Sequence, residues 1–429
     1  MFLPEIKNNL LLSLFILTLC LFINCKPSGE DINIPIPTKT SYGQDGRSLT
    51  QEEYYDKVLG ALVGSAIGDA MGASTEMWHR SQIQEEYGYI TGLTTALREK
   101  SPEGTWGHNL DSGTTTDDTR WKFLMTKYLA KHRADPNPRS FTKFITDYYE
   151  SLASDLSDSA LYSSDALDQQ LEKLNWIIEW NEVAKAYQED PLKFQDAKSR
   201  FYGGEMSCAG MLYSPMFGLI NSSPDSAYLN AYEHSLFDIG YARDITAMVA
   251  AMTSVAMRSD DIDSIVNTID FIDPLKYKNS RLIGRLSESS LKTGLGYVYN
   301  SKSLDTSDSL NIKPPKNYPY SNADWIKQNY VYEQLQQSEM PISFHAGEIW
   351  QILSTGLKFG EGDFSKSMEF IVNFGRDNDT VAAVAGMILG AKDGYAKLPQ
   401  DLKEEVIRVN RDQLGIDLEE LARDIVAKG

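Results

Sequence analysis

The stretch "FGRDNDTVAAVAG", Phe374 to Gly386, sets an acid-rich turn against the start of a tight apolar helix. Asp377 and Asp379 flank Asn378 beside Arg376, Thr380 follows, and an Ala-rich run begins. Asp and Thr are ordinary N-caps, and acids favour helix N-termini electrostatically, so capping alone accounts for one such turn. Gly386, Gly390 and Gly394 recur every four residues, which places them along one helix face. Near the start of the chain Gly60, Gly64, Gly68 and Gly72 do the same. An interior Gly costs about 1 kcal/mol relative to Ala. Both helices are therefore expected to lie against close neighbours at the domain centre. Asp69 and the short apolar runs do not fit a membrane span.

The pattern of the opening stretch returns in "GTTTDDTRWKFLM", Gly113 to Met125, where Thr116, Asp117 and Asp118 precede a second helix. If the two helix starts meet, four carboxylates and two threonine hydroxyls share one site. Without cations that group repels itself and is costly to desolvate. One or two Mg²⁺ ions make it favourable, with Mn²⁺ a substitute, because hard oxygen ligands suit both. Zinc does not fit, since the five histidines are scattered and no cysteine cluster exists. A P-loop, a GxSxG elbow and a Cys nucleophile with a paired His are all lacking from the sequence.

Farther out, "TQEEYYDKVLG" opens the folded region with a capping box, Thr50 and Glu53. Helical periodicity dominates from there to the end, as in "TRWKFLMTKYLAKH" and "DLKEEVIRVNRDQL", so an all-α domain over residues 50–429 is the natural expectation. One long Ser-, Pro- and Tyr-rich stretch, about 298–322, reads as a loop able to shape a cleft. The chain of 429 residues carries 41 basic and 60 acidic side chains, a net charge of -19. That balance argues against general nucleic-acid binding, which rests on Lys and Arg at phosphates. At the N-terminus "LLLSLFILTLCLFI", Leu10 to Ile23, has the length of a signal-peptide core. "LFINCKPSGE" follows it and resembles the lipobox of bacterial lipoproteins, although Asn24 departs from the usual small residue. The resemblance implies a signal at 1–24, lipid on Cys25, a tether at 25–49, and export to the periplasm or cell surface. Cys208 is then the lone remaining cysteine besides Cys20 of the signal, so a disulfide framework is not expected.

"VLGALVGSAIGDAMGASTE", "TTDDT" and "GRDNDTVAAVAGMILGA", in that order and spacing, resemble the three signatures of the ADP-ribosylglycohydrolase family. The resemblance covers roughly residues 54–395. It implies an all-α orthogonal bundle with a binuclear Mg²⁺ centre in a central cleft. Carried over by position, it implies Thr116, Asp117, Asp118, Asp377, Asp379 and Thr380 as metal ligands. Glu76 falls where some members place a carboxylate between metal and substrate; an exposed acid beyond a helix end is the plainer alternative. Hydrolysis of a ribosyl C1″ bond passes through an oxocarbenium-like state, with a carboxylate as base or positioning group. Glu76, Asp117, Asp118 and Asp379 are the candidates, and the sequence does not choose among them. The implied substrates are an ADP-ribosylated protein, an ADP-ribosyl amino acid or a small ADP-ribose conjugate.

The sequence also departs from the family. In "YGGEMSCAGMLYSPMFG", Tyr202 to Gly218, Ser207 stands where Asn is usual and Leu212 where Arg is usual. Gly203, Gly204, Ser207 and Gly210 are candidates to offer backbone amides to a diphosphate; a plain turn is the alternative. His234 resembles a family histidine near the substrate, and equally suits an ordinary core position. Arg376 and Asn378 replace a frequent Gly and Thr without removing a ligand. Two other classes share these features: a non-catalytic binding protein for ADP-ribose or a nucleotide, and a metal-dependent phosphohydrolase.

Overall fold

A computed structural model of the protein describes residues 49–95, 111–159 and 174–427. The signal at 1–24, Cys25 and the tether up to residue 48 lie outside the described residues. Within those described, seventeen α-helices and one two-stranded ribbon make an all-α fold, as the periodicity predicts. None of those helices is long and apolar enough to cross a membrane. Five of them position the site: α1 (Gln51–Gly72), α2 (Asp117–His132), α3 (Ala346–Phe359), α4 (Phe364–Phe374) and α5 (Asn378–Asp393).

The predicted capping box starts α1. Glu53 N donates to Thr50 Oγ1 at 3.1 Å, and Thr50 N donates to Glu53 Oε2 at 2.9 Å. Every residue of α1 from Val58 to Gly72 is buried, and so is every residue of α5 from Asn378 to Lys392. Helices apolar all round belong at the centre of a bundle. The two lie antiparallel against each other, backbone to backbone. A methyl group on Gly386 or Gly390 would strike the carbonyl oxygen of Gly64 or Gly60, and one on Gly68 would strike that of Ala382. At the C-terminal end of α1, Gly72 abuts the Asp379 backbone. The glycine stripes thus bring the end of α1 to the start of α5.

β1 (Trp78–His79) pairs antiparallel with β2 (Gly375–Arg376), Trp78 opposite Arg376. Met77 N donates to the Arg376 carbonyl at 2.7 Å just before it. This ribbon fixes the residue after the end of α1's turn beside the residue that opens α5.

The 298–322 stretch differs from expectation. Residues 298–301 complete the helix Leu286–Ser301, and Ser307–Asn311 form a 3₁₀ turn. Beyond it, the Tyr318 ring meets Tyr89 edge-on at 4.8 Å, and Tyr320 Oη donates to Glu369 Oε2 of α4 at 2.8 Å. The tyrosines thus strap the segment to the bundle, and among its described residues none lines the cleft of the site.

Candidate functional site

Both acidic helix starts converge at the C-terminal end of α1. Thr116 is the N-cap of α2, its Oγ1 accepting from Asp118 N at 3.4 Å. The same hydroxyl donates to Asp379 Oδ2 at 3.3 Å, and Thr380 Oγ1 donates to Asp118 Oδ2 at 2.9 Å. These two bonds cross from one helix start to the other. Asp377, by contrast, caps nothing with its side chain although it stands at the N-cap of α5. Its Oδ2 accepts instead from the Cys208 thiol at 3.7 Å. Capping therefore explains Thr116 and leaves Asp377 unexplained.

Glu76, Asp117, Asp377, Asp379 and Thr380 line one cleft open to solvent. Its other walls are Trp180, Tyr202, Ser207, Cys208, Ala209, Leu212 and Phe344. Glu76 is buried, not an exposed acid beyond a helix. Burial, then the charges of Asp118 and Glu76, pushes Asp117 well above the usual carboxylate range. Burial, then Glu76 and Asp377, does the same to Asp379. Asp377 is pushed up to about 7 by burial, with Glu76 and Asp118 adding to it. Such shifts mark carboxylates held together without enough positive charge among them.

Lys122 brings a basic side chain into the cluster. Its Nζ donates to Asp118 Oδ1 at 3.0 Å, and both side chains are buried. Asp379 Oδ1 is buried with no hydrogen-bond partner. The six oxygen donors, the elevated carboxylates and this orphaned oxygen fit a hard divalent cation. Among the described residues no three His, Cys, Asp or Glu side chains already converge as ligands of one ion; Asp118 turns one oxygen to Lys122 and the other to Thr380.

A profile of the ADP-ribosylglycohydrolase family matches residues 50–429. The chain belongs to the ADP-ribosylglycohydrolase family. Relatives include the ADP-ribosyl-[dinitrogen reductase] glycohydrolase of Rhodospirillum rubrum, 33% identical over 82 residues, which are 19% of this chain and 25% of that protein. The uncharacterized protein YegU of Escherichia coli (strain K12) is 28% identical over 93 residues, 22% of this chain and 27% of that one. These alignments span only about a quarter of the length of the curated relatives. A solved structure described as an ADP-ribosylglycohydrolase-related protein complex superposes with a TM-score of 0.50 at 17% identity, covering 88% of this chain and 99% of that one. That likeness concerns the fold.

Not every residue that the ADP-ribosylglycohydrolase resemblance suggested reaches the cleft. His234 is fully buried among Tyr128, Phe141 and Phe217. Its Nδ1 lies 2.7 Å from the Asn230 carbonyl oxygen and its Nε2 3.4 Å from Tyr128 Oη. Burial lowers its pKa to about 4, so it is a neutral core histidine, not a cleft residue. Gly210 is a packing glycine. Its amide donates to Asp238 Oδ1 at 2.8 Å, and Asp238 and Thr246 fill the space a side chain would take. Gly203 and Gly204 take left-handed backbone angles, φ 72° and 82°, and lie outside the cleft wall. Ser207 does line the cleft with its hydroxyl unpartnered, but its amide is bonded to the Glu205 carbonyl at 2.9 Å. The Cys208 amide is likewise bonded, to the Phe344 carbonyl at 3.0 Å. The turn is therefore a built cleft wall; at Ser207, Cys208 and Gly210 its amides are already spent.

Other residues of the site carry weaker sequence signals. Asp69 is fully buried in α1 and accepts from Thr116 N at 2.9 Å, Thr119 N at 3.0 Å and Thr119 Oγ1 at 2.6 Å. It pins the start of α2 to α1, and an acid inside an otherwise apolar, Gly-striped helix was its signal. Arg376 pairs with Glu348 of α3, Nε to Oε1 at 2.6 Å and Nη2 to Oε2 at 3.0 Å, and also donates to the Met340 carbonyl. It is a salt bridge beside the cluster. Trp180, Tyr202 and Phe344 come together through tertiary contacts that sequence spacing does not show. Trp180 Nε1 donates to Tyr202 Oη at 3.2 Å, and the Tyr202 and Phe344 rings lie 5.7 Å apart.

Proposed function

We propose that this ADP-ribosylglycohydrolase-family chain hydrolyses an ADP-ribosyl bond, with Mg²⁺ or Mn²⁺ held by Thr116, Asp117, Asp118, Asp377, Asp379 and Thr380. The observation that carries the reading is the meeting of both acidic helix starts and Glu76 in one cleft, with Asp379 Oδ1 left unpartnered. When bound, the metal would neutralise the carboxylates and polarise oxygen atoms of water or ribose. Glu76 stands outside the ligand set and is fixed beside Asp377 by the β1–β2 ribbon, so it is the proton acceptor we favour. As water attacks C1″, the new C1″–O bond forms, the proton passes to the Glu76 carboxylate, and the bond to the leaving group breaks with its electron pair. The aromatic wall of Trp180, Tyr202 and Phe344 excludes water from one side of the substrate.

The purified protein is incubated with Mg²⁺ and ADP-ribosylated proteins, ADP-ribosyl amino acids and small conjugates, and free ADP-ribose is measured. Release abolished by EDTA, and reduced at least a thousandfold in an Asp117→Ala, Asp379→Ala double variant, is the expected result. Binding without turnover would turn the reading to a non-catalytic ADP-ribose-binding protein. Phosphate release without ADP-ribose would turn it to a phosphohydrolase. We further propose export as a lipoprotein anchored through Cys25, on the strength of the 10–25 segment. An unmodified Cys25 peptide in the mass spectrum of the cell-derived protein would refute the anchor.

A further inference from the structure

Lys122 is an unusual occupant of its position. Lysines are almost never fully buried unless paired, yet this side chain is 2% exposed, on a stretch of α2 whose neighbours Trp121 and Met125 are buried too. An apolar residue would fill the place without desolvating an ammonium group. What Lys122 meets is one turn away: Asp118 Oδ1, at 3.0 Å. The other Asp118 oxygen accepts from Thr380. Asp118 is thus already compensated by the protein, whereas Asp379 Oδ1 across the cluster is buried and unpartnered. The carboxylate centre has one end satisfied from within and one end open.

We propose that Lys122 is a built-in counter-ion of this centre, which competes with divalent cations for Asp118 and so limits their affinity. The inference rests on the reading that the centre binds Mg²⁺ or Mn²⁺. Its sign follows from electrostatics. A fixed positive charge within a few ångströms repels an incoming cation in a buried, weakly screened site, and Nζ also occupies an oxygen that the cation would use. In the metal-free protein the same charge keeps Asp118 from standing uncompensated. Removing it therefore weakens the metal-free fold and strengthens cation binding. General structural damage would weaken both.

The full-length chain is titrated with Mn²⁺, free ion being followed by electron paramagnetic resonance, as wild type, Lys122→Gln, Lys122→Met and Lys122→Arg. Thermal melts in EDTA run alongside to establish that each variant is folded. Lys122→Gln and Lys122→Met are expected to bind Mn²⁺ at least tenfold more tightly while melting lower in EDTA, and Lys122→Arg to stay near wild type. Affinity unchanged or weaker in both neutral variants, with wild type binding normally, would overturn the competition and leave the metal reading standing. No Mn²⁺ binding by wild type would overturn the metal reading and this proposal together.

Discussion

Asp69 shows how much one carboxylate can organise. Its two oxygens accept three hydrogen bonds from the first turn of α2, so the orientation of Thr116, Asp117 and Asp118 hangs on a side chain in another helix. All three partners are donors. An amide in its place keeps one acceptor and turns its NH₂ against a backbone N–H in either orientation, that of Thr116 or that of Thr119. Asp69→Asn is expected to cost about 2–3 kcal/mol in denaturant unfolding and to weaken Mn²⁺ binding; an unchanged unfolding midpoint would contradict the role. A second buried acid, Glu369, reports on pH. Burial raises its carboxyl to about 7, above the 4.5 of an exposed glutamate, despite the Tyr320 hydrogen bond. Ionisation is thus harder folded than unfolded, so stability is full below about pH 4.5 and falls as pH rises through 7. Glu369→Gln should remove that fall, gaining about 1–2 kcal/mol at pH 8 and nothing at pH 4, once solvent screening is allowed for. Unfolding curves at the two pH values check it.

Glycine stripes on α1 and α5 let two buried helices touch through their backbones, and this contact, in turn, sets Gly72 against the Asp379 backbone. Gly→Ala on an open helix face would gain about 1 kcal/mol. At Gly386 the added methyl meets the Gly64 carbonyl, and forcing helices apart costs more than propensity returns. Gly386→Ala is expected to lose about 2 kcal/mol net and to weaken cation binding through the displaced Asp379. Gly92→Ala, whose new methyl would meet only Leu402 at 3.8 Å, is the control. Equal stability of the two variants would show that the glycines do not set the helix spacing. The β1–β2 ribbon is the other positioning element. It is two residues long on each side, too short to leave a strand pattern in sequence, and it holds Glu76 next to Asp377.

At the scale of the molecule, the end of α1 is the hub: Asp69 holds α2, Gly72 meets α5, and Glu76 follows toward β1. The residues that meet there come from three stretches separated by many tens to hundreds of positions. The fold class was legible because helical periodicity, caps and glycine spacing are local properties of the chain, and Thr50 and Glu53 behave as their spacing predicts. The two acidic helix starts were legible for the same reason, as repeated short patterns, and the structure brings them together. Orientation and environment were not legible. His234 and Gly210 looked like ligand contacts because residue type cannot tell a cleft from a core; the aromatic cage around one and Asp238 beside the other decide it. Arg376 found Glu348, and the 298–322 segment found Tyr89 and Glu369, through contacts between distant parts of the chain. The sequence by itself determined an all-α chain with two acid-headed helices, because propensity and periodicity act over a few residues. Tertiary structure alone decided which carboxylates share a cleft, which turn amides are already bonded, and that the helical pair Asp118–Lys122 is buried inside the cluster, because burial arises only when distant segments pack.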